Sequence, residues 1–233
     1  SQPIRLEKPL NSSKHEGPLC FSADGKLVYF TSNNRNEENK QGKDGIQHLK
    51  IYIADIARSE WLNIREFTFN SADYACGHPT LSPDGKTLYF TSDMPGGFGG
   101  ADIYSCQINA KGEFEKPVNL GANVNTSGQE MFPWIGSDEL LYFSSNGRPG
   151  IGGLDLFAAP RDGKMAAKNL GLSINSVNDD FAVTLLADGK SGFMASNRNG
   201  TDDIFSIRKL LDIKFNALIK GTVIDQNSGV VLA

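Results

Sequence analysis

The sequence predicts an all-β protein, a β-propeller built from four-stranded blades, and three observations support this fold class. A turn followed by a pair of large apolar residues recurs at intervals of roughly 50 to 60 residues. The short apolar runs show no helical periodicity. The 25 glycines indicate frequent turns, while 14 Phe and 6 Tyr supply a core. Four copies of the unit are visible, and the intact propeller could contain more blades.

Each unit is predicted to contain four short strands, which are clearest in the second unit. HPTLS (78–82) is strand A, and a Pro-Asp-Gly-Lys turn (83–86) leads to strand B, TLYFTS (87–92). The Asp-Gly pair suits a tight hairpin because glycine accepts a positive φ. Strand C is ADIYSCQI (101–108), and strand D is EFEKPVNL (113–120). The uninterrupted apolar run in strand B is typical of a strand that is covered on both faces.

Two phrases align the four units. The large apolar pair of strand B occurs at Tyr29-Phe30, Tyr89-Phe90, Tyr142-Phe143 and Phe193-Met194. A phrase containing Asn-Ser or Asn-Thr precedes each unit, at 6–16, 120–130 and 170–180, with a looser version at 69–77. The predicted units cover about 11–68, 69–123, 124–173 and 174–210.

Glycine-rich segments are predicted to connect strands B and C where neighbouring blades crowd together. The clearest examples are 95–100 and 149–153. An aspartate precedes strand C in three units, at Asp102, Asp155 and Asp203. Because a carboxylate can accept hydrogen bonds from the free backbone donors of such a loop, we expect these aspartates to be structural rather than ligand-binding.

Composition excludes several classes of partner. The net charge is −4 without a basic block, which argues against nucleic acid and anionic membrane surfaces as partners. No apolar run reaches about 18 residues, so direct membrane insertion is not expected. The three cysteines, Cys20, Cys76 and Cys106, are far apart and form no CxxC pair. Cys20 and Cys106 lie within predicted strands, where a buried, inert thiol is the favoured interpretation.

The sequence contains no recognisable catalytic or metal-binding motif, so no enzyme activity, cofactor or metal is expected. His15 and His78 lie where strands A begin and could approach a central channel, but ordinary hydrogen-bonded histidines are favoured over a zinc site. Glu16, Glu130 and Asp180 occupy equivalent positions and would be the carboxylates of a propeller glycosidase. A capping contact repeated in each blade is the simpler interpretation.

The motifs resemble a known repeat. SADGK (22–26), SPDGKTLYFTS (82–92), LYFSSNGRPGIGGLDLF (141–157) and ADGKSGFMASNRNG (187–200) are similar to the WD40-like PD40 repeat of TolB-type propellers. More narrowly, they resemble the propeller of Bacteroidota OmpA-family outer-membrane proteins, which include PorE-type components of type IX secretion. This resemblance implies a non-catalytic scaffold in the periplasm, associated with the outer membrane and assisting secretion or gliding machinery.

The resemblance also implies partners and domain limits. A PorP/SprF-like envelope protein or another secretion component would be the partner, and peptidoglycan would be bound only through an OmpA-like domain that this chain lacks. The propeller would occupy 1–210. Residues 211–233 would contain a linker and the first strand of a carboxypeptidase-regulatory-like β-sandwich, since IKGTVIDQNSGVVLA (219–233) resembles its start.

The face formed by the B–C connections is the predicted binding surface, because exposed Met, Phe, Ile and Arg are common interface anchors. The candidate residues are Asn33, Asn34, Arg35, Met94, Phe98, Arg148, Ile151 and Arg198. Packing of these side chains against adjacent loops is an equally weighted alternative. Two other functions stay open from the sequence: a propeller glycoside hydrolase, and a TolB-like accessory that binds a peptide in the channel.

Overall fold

A computed structural model describes residues 16–33, 41–58 and 60–215. The described residues form fifteen β-strands in four antiparallel sheets and contain no helix. The strands are β1 Glu16–Phe21, β2 Leu27–Ser32, β3 Lys50–Ala57, β4 Glu60–Glu66, β5 Cys76–Leu81, β6 Thr87–Ser92, β7 Asp102–Gln107, β8 Val118–Asn119, β9 Glu130–Ile135, β10 Leu140–Ser145, β11 Asp155–Pro160, β12 Lys168–Asn169, β13 Asp180–Leu185, β14 Ser191–Ser196 and β15 Asp203–Arg208. The predicted all-β propeller is confirmed.

Each sheet is one blade whose strands follow chain order. Blade 1 contains β1–β4, blade 2 contains β5–β8, blade 3 contains β9–β12, and blade 4 contains β13–β15 in the described residues. The first strands of successive blades, β1, β5, β9 and β13, pack on one another in that order. They are therefore the inner strands, and they surround the propeller axis.

The aromatic pair of strand B joins neighbouring blades because adjacent residues of a strand point to opposite faces of the sheet. In blade 2, Phe90 packs with Tyr29 and Phe67 in the core between blades 1 and 2. Tyr89 points the other way and packs with Phe143 between blades 2 and 3. Both faces of the sheet are covered, which explains why the strand is apolar without alternation.

An asparagine side chain ties the D–A connection to strand C in three blades. Asn125 accepts a hydrogen bond from the Ile103 N–H at 2.8 Å and donates one to the Ile103 carbonyl at 2.9 Å. The same pair of bonds joins Asn70 to Ile51 and Asn175 to Leu156. The asparagine of the recurring Asn-Ser/Thr phrase therefore holds the D–A connection against strand C of its blade.

The outer strand of the second blade is shorter than the sequence predicted. Strand D of the second unit, predicted over 113–120, is only Val118–Asn119, because Pro117 has no N–H to donate to a sheet. The predicted start of a β-sandwich at 219–233 lies outside the described residues. The domain limits 1–210 and 211–233 stay predictions.

Candidate functional site: the central channel

Bulges in three inner strands bring residues with a positive backbone φ angle to the propeller axis. The pairing register shifts within β5, β9 and β13, and the shift in each strand contains a residue with positive φ: His78 at 52°, Phe132 at 54° and Ala182 at 52°. Such angles are uncommon outside glycine. A bulge of this kind re-aims side chains relative to a regular strand. Here it brings all three residues to the lining of the central channel.

Aromatic rings form a column that crosses three blades. The His78 ring stacks on Phe132 with centroids 4.0 Å apart and planes 10° apart. Phe132 in turn lies 5.2 Å from the ring of Phe181. The backbone strengthens the column, because the Phe132 N–H donates to Nδ1 of His78 at 3.3 Å and the His78 N–H donates to Oγ1 of Thr31 at 2.8 Å. The column therefore links all four blades.

The histidine of this column is uncharged at neutral pH. Burial lowers the pKa of His78 to about 4, since a charged ring would lose its hydration there. The bond from Phe132 also requires Nδ1 to be the unprotonated nitrogen, which puts the single proton of the ring on Nε2. The sequence pointed to His78 as a residue near the channel, but the stacking partners carried no sequence signal.

The channel encloses a cavity of about 410 Å³, and every residue that lines it is uncharged. The lining comes from all four inner strands, over 18–21, 78–81, 132–134 and 182–184. Three of these residues are prolines, Pro18, Pro79 and Pro133, which lie within the register shifts of β1, β5 and β9. Proline cannot donate a backbone hydrogen bond, so it blocks regular addition of a strand to these inner edges. The cavity is suited to apolar or aromatic groups.

The carboxylates that would define a glycosidase lie away from this cavity. Glu130 is 0% exposed, and its carboxylate accepts bonds from the N–H and hydroxyl of Thr126, both at 2.7 Å, and from the Ser145 hydroxyl at 2.6 Å. Asp180, also 0% exposed, accepts bonds from the N–H and hydroxyl of Ser176. Both acids cap the turn that precedes their strand. The structure therefore favours the capping interpretation for these two acids.

Glu130→Gln should lower the free energy of unfolding by about 2 kcal/mol, because an amide donor would replace one acceptor in a buried set of three bonds. Urea titration measures the loss. The matched control is Glu113→Gln, an exposed turn residue, for which we expect less than about 0.5 kcal/mol. Equal stability of the two variants would contradict the capping role.

Two arginines of the predicted binding face serve the fold. Arg148 donates through Nη2 to the carbonyl of Asn123 at 2.7 Å. Arg198 donates through Nη2 to the carbonyl of Ile174 at 2.6 Å, and its guanidinium lies 4.9 Å from the centre of the Phe205 ring. Both side chains thus tie a B–C connection to a D–A connection. For these residues the packing alternative describes what the structure shows.

The remaining described residues of that face differ in exposure. Phe98 is 51% exposed and is the most open apolar candidate. Met94 is partly buried against the core between blades 1 and 2, while Asn33 and Ile151 are half-buried. Phe98 is therefore the member best placed to contact a partner.

Three residues singled out from the sequence, His15, Asn34 and Arg35, lie outside the described residues. No structural role is assigned to them.

The aspartates before strand C order the glycine-rich connections. Asp102 accepts a bond from the N–H of Phe98, and Asp155 accepts one from the N–H of Ile151. Both carboxylates are almost completely buried. Asp203 is exposed and accepts a hydroxyl bond instead. The predicted structural role is therefore confirmed for the first two aspartates.

The three cysteines of the described residues carry free thiols. Burial raises the pKa of Cys20, Cys76 and Cys106 to about 12, which keeps these free thiols protonated. Over the described ranges, no group of three or more His, Cys, Asp or Glu residues could hold a metal ion. In the same part of the chain, no helix has the length and apolar character needed to cross a bilayer.

Comparison with solved structures identifies the fold. The chain matches TolB from Acinetobacter baumannii over 92% of its own length and 42% of that chain, with a TM-score of 0.51 and 19% identity. It matches a putative TolB from Agrobacterium tumefaciens over 91% of its length and 62% of that chain, with a TM-score of 0.56 and 17% identity. The chain has the fold of a TolB-type β-propeller. It spans less than two thirds of either TolB chain. No family model matches the sequence, and a search of curated proteins found no match.

The expectation that this protein is not an enzyme, which was based on the absence of catalytic motifs, is wrong, because a solved peptidase shares the fold. A puromycin-hydrolyzing peptidase from Mycobacterium tuberculosis matches 93% of the chain with a TM-score of 0.51 and 15% identity, and the chain covers 28% of that protein. The same propeller architecture therefore occurs in peptidases as well as in TolB. Absence of a catalytic motif from this stretch of sequence does not separate the two groups.

Proposed function

We propose that this chain is a binding propeller that holds an uncharged, apolar or aromatic segment of a protein partner in its central channel. The observation that carries the proposal is the aromatic column of His78, Phe132 and Phe181 beside a cavity without a charged lining residue. Aromatic side chains of a ligand gain stacking energy on such rings. The His78 ring is already held by the Phe132 N–H and by stacking on Phe132, so little ordering entropy is lost on binding.

A finer proposal concerns the biological setting. We place the chain in the periplasm of a Bacteroidota-type envelope, as a scaffold of an OmpA-family protein that assists type IX secretion or gliding machinery near the outer membrane. A PorP/SprF-like protein or another secretion component would be the partner, and contact with peptidoglycan would be made by a neighbouring domain. The support for this setting is the resemblance of the repeated motifs, from Asp-Gly-Lys to Gly-Gly-x-Asp. The B–C connections, with Phe98 exposed, offer a second surface to the same partner.

The test compares the two surfaces with matched variants. The probe is a short, end-capped Phe-Pro-Leu peptide without charge, and calorimetry measures its affinity for the whole chain. Phe132→Ser should weaken binding about tenfold, since loss of an aromatic pair costs about 1.4 kcal/mol. Phe98→Ser, which changes the same residue type on the B–C connections, should leave the affinity unchanged.

Two outcomes would contradict the channel as the site. One is loss of binding in Phe98→Ser with full binding in Phe132→Ser. The other is tighter binding of a charged Glu-Pro-Lys peptide, because the uncharged lining offers no partner for its charges.

A further inference from the structure

Two ring N–H groups of the channel lining have no hydrogen-bond partner among the described residues. The first belongs to His78, whose Nδ1 accepts the bond from the Phe132 N–H and therefore carries no proton, so that Nε2 must carry it. The second is the indole N–H of Trp134, a group that can only donate. Neither nitrogen bonds another described group, and neither is a buried atom. Both donors are therefore open to a ligand in the cavity that their side chains line.

The side chains of the lining offer few acceptors in return. No carboxylate or carboxamide lines the cavity, and the hydroxyls of Thr80 and Thr184 can donate as well as accept. Because an N–H group has a partial positive charge at its hydrogen, this lining is electrostatically complementary to carbonyl oxygens. A ligand without an acceptor would remove both donors from water without replacing their hydrogen bonds, which costs affinity.

The backbone of the inner strands does not replace these acceptors with a regular ladder. Pro18, Pro79 and Pro133 lie in three of the four inner strands and have no N–H to donate. An extended ligand therefore cannot form a continuous ladder of hydrogen bonds along these edges. Without a ladder, a ligand N–H depends on the side chains of the lining, where hydroxyls are the main acceptors. The channel therefore favours a ligand that has carbonyl groups and few N–H groups.

A proline-containing segment has this combination of groups. Proline keeps its backbone carbonyl but has no N–H, and a proline-rich segment is extended with its carbonyl groups unbonded. Surfaces lined by aromatic rings are the usual docking sites of such segments. Here the rings of His78, Phe132 and Trp134 line a cavity of about 410 Å³, within the range of roughly 300 to 1,000 Å³ that is usual for ligand sites.

We propose that His78 and Trp134 determine the specificity of the channel, and that its ligand is a proline-containing segment whose carbonyl oxygens accept hydrogen bonds from these two ring N–H groups. The inference rests on the proposed function, since it concerns the same cavity. It adds the class of segment that is bound and the protein atoms that recognise it.

Two isomeric peptides test the preference for a residue without an N–H, and they require no change to the protein. The proline of the end-capped Phe-Pro-Leu probe is replaced by N-methylalanine or by 2-aminobutyrate, which contain the same atoms, although only 2-aminobutyrate has a backbone N–H. Calorimetry should show about tenfold weaker binding of the 2-aminobutyrate peptide, because its N–H would lose water without gaining an acceptor. Phe-Pro-Leu should bind most tightly of the three. Equal affinity of the two isomers would overturn the preference for proline.

The donor on the protein is tested by replacing the indole of Trp134 with 3-benzothienylalanine, which keeps the shape of the ring but has sulfur in place of the N–H. Binding of Phe-Pro-Leu should weaken about fivefold, the effect of losing one hydrogen bond. The same replacement of Trp61, which lies in β4 and not in the channel lining, is the matched control and should leave the affinity unchanged. Unchanged affinity after the replacement at Trp134 would overturn its role as a donor.

The variant Phe132→Ser separates a failure of this inference from a failure of the proposed function. If Phe132→Ser weakens the binding of all three peptides but the two isomers bind equally, the channel is the binding site and the preference for proline is wrong. If Phe132→Ser weakens the binding of none of them, the peptides bind elsewhere, and both the proposed function and this inference are wrong.

Discussion

Replacing Asn125 by alanine should lower the free energy of unfolding by about 2 to 3 kcal/mol. Asn125 is 1% exposed, and its carboxamide makes three bonds: two to the backbone of Ile103 and one to Oδ1 of Asn119. Alanine would leave the Ile103 N–H buried and unsatisfied, at about 1 to 3 kcal/mol. The Ile103 carbonyl would keep its bond from the Leu120 N–H, and Oδ1 of Asn119 would keep its bond from the Gly121 N–H. Guanidinium titration followed by circular dichroism measures the change.

A surface asparagine provides the control. Asn109 lies in an exposed turn, where its Oδ1 accepts bonds from the N–H groups of Lys111 and Glu113. Water replaces such bonds easily, so Asn109→Ala should cost about 1 kcal/mol or less. If Asn125→Ala were no more destabilising than Asn109→Ala, the two hydrogen bonds between Asn125 and Ile103 would contribute little to the stability of the fold.

Acid should destabilise this protein through His78. In the folded chain the pKa of His78 is lowered to about 4, while the unfolded chain has the ordinary value near 6.5. Between these values the unfolded state binds more protons, so stability falls as the pH decreases from about 6.5 to about 4. The loss should approach about 3 kcal/mol at the acid end of this range. Thermal or denaturant unfolding measured from pH 7 to pH 4.5 would show the slope.

The matched variant is His78→Asn, which retains an acceptor near the position of Nδ1 and tolerates the positive φ of the bulge. It should be less dependent on pH over this range because asparagine does not titrate. An identical slope in His78→Asn and the unchanged chain would show that His78 is not the group responsible.

Contacts within one repeat could be predicted from the sequence because they join residues close in the chain. The turn before strand B, the aromatic pair and the aspartates Asp102 and Asp155 were all predicted with their structural roles. Each of these roles depends on local hydrogen bonds or on strand alternation. The capping acids Glu130 and Asp180 were predicted for the same reason, since their partners lie four residues away.

Contacts between repeats could not be predicted in this way. Phe132 donates to His78 across 54 residues, and both positions depend on bulges that a repeat pattern does not show. Arg148 and Arg198 were predicted to contact a partner because exposed arginines are common in interfaces. Their side chains instead donate hydrogen bonds to the neighbouring D–A connection. Composition alone does not distinguish a guanidinium that faces a partner from one that faces an adjacent loop.

The sequence by itself determined the repeat, the number of visible units and the adjacent pair of large apolar residues in each strand B. Only the tertiary structure decided which of these apolar positions are covered, since coverage depends on the next blade and its connection. Ile103 and Ile204 occupy the same place in the repeat, yet one is fully buried and the other 80% exposed. The physical reason is that burial is a property of neighbouring blades, whereas a repeat pattern describes one blade at a time.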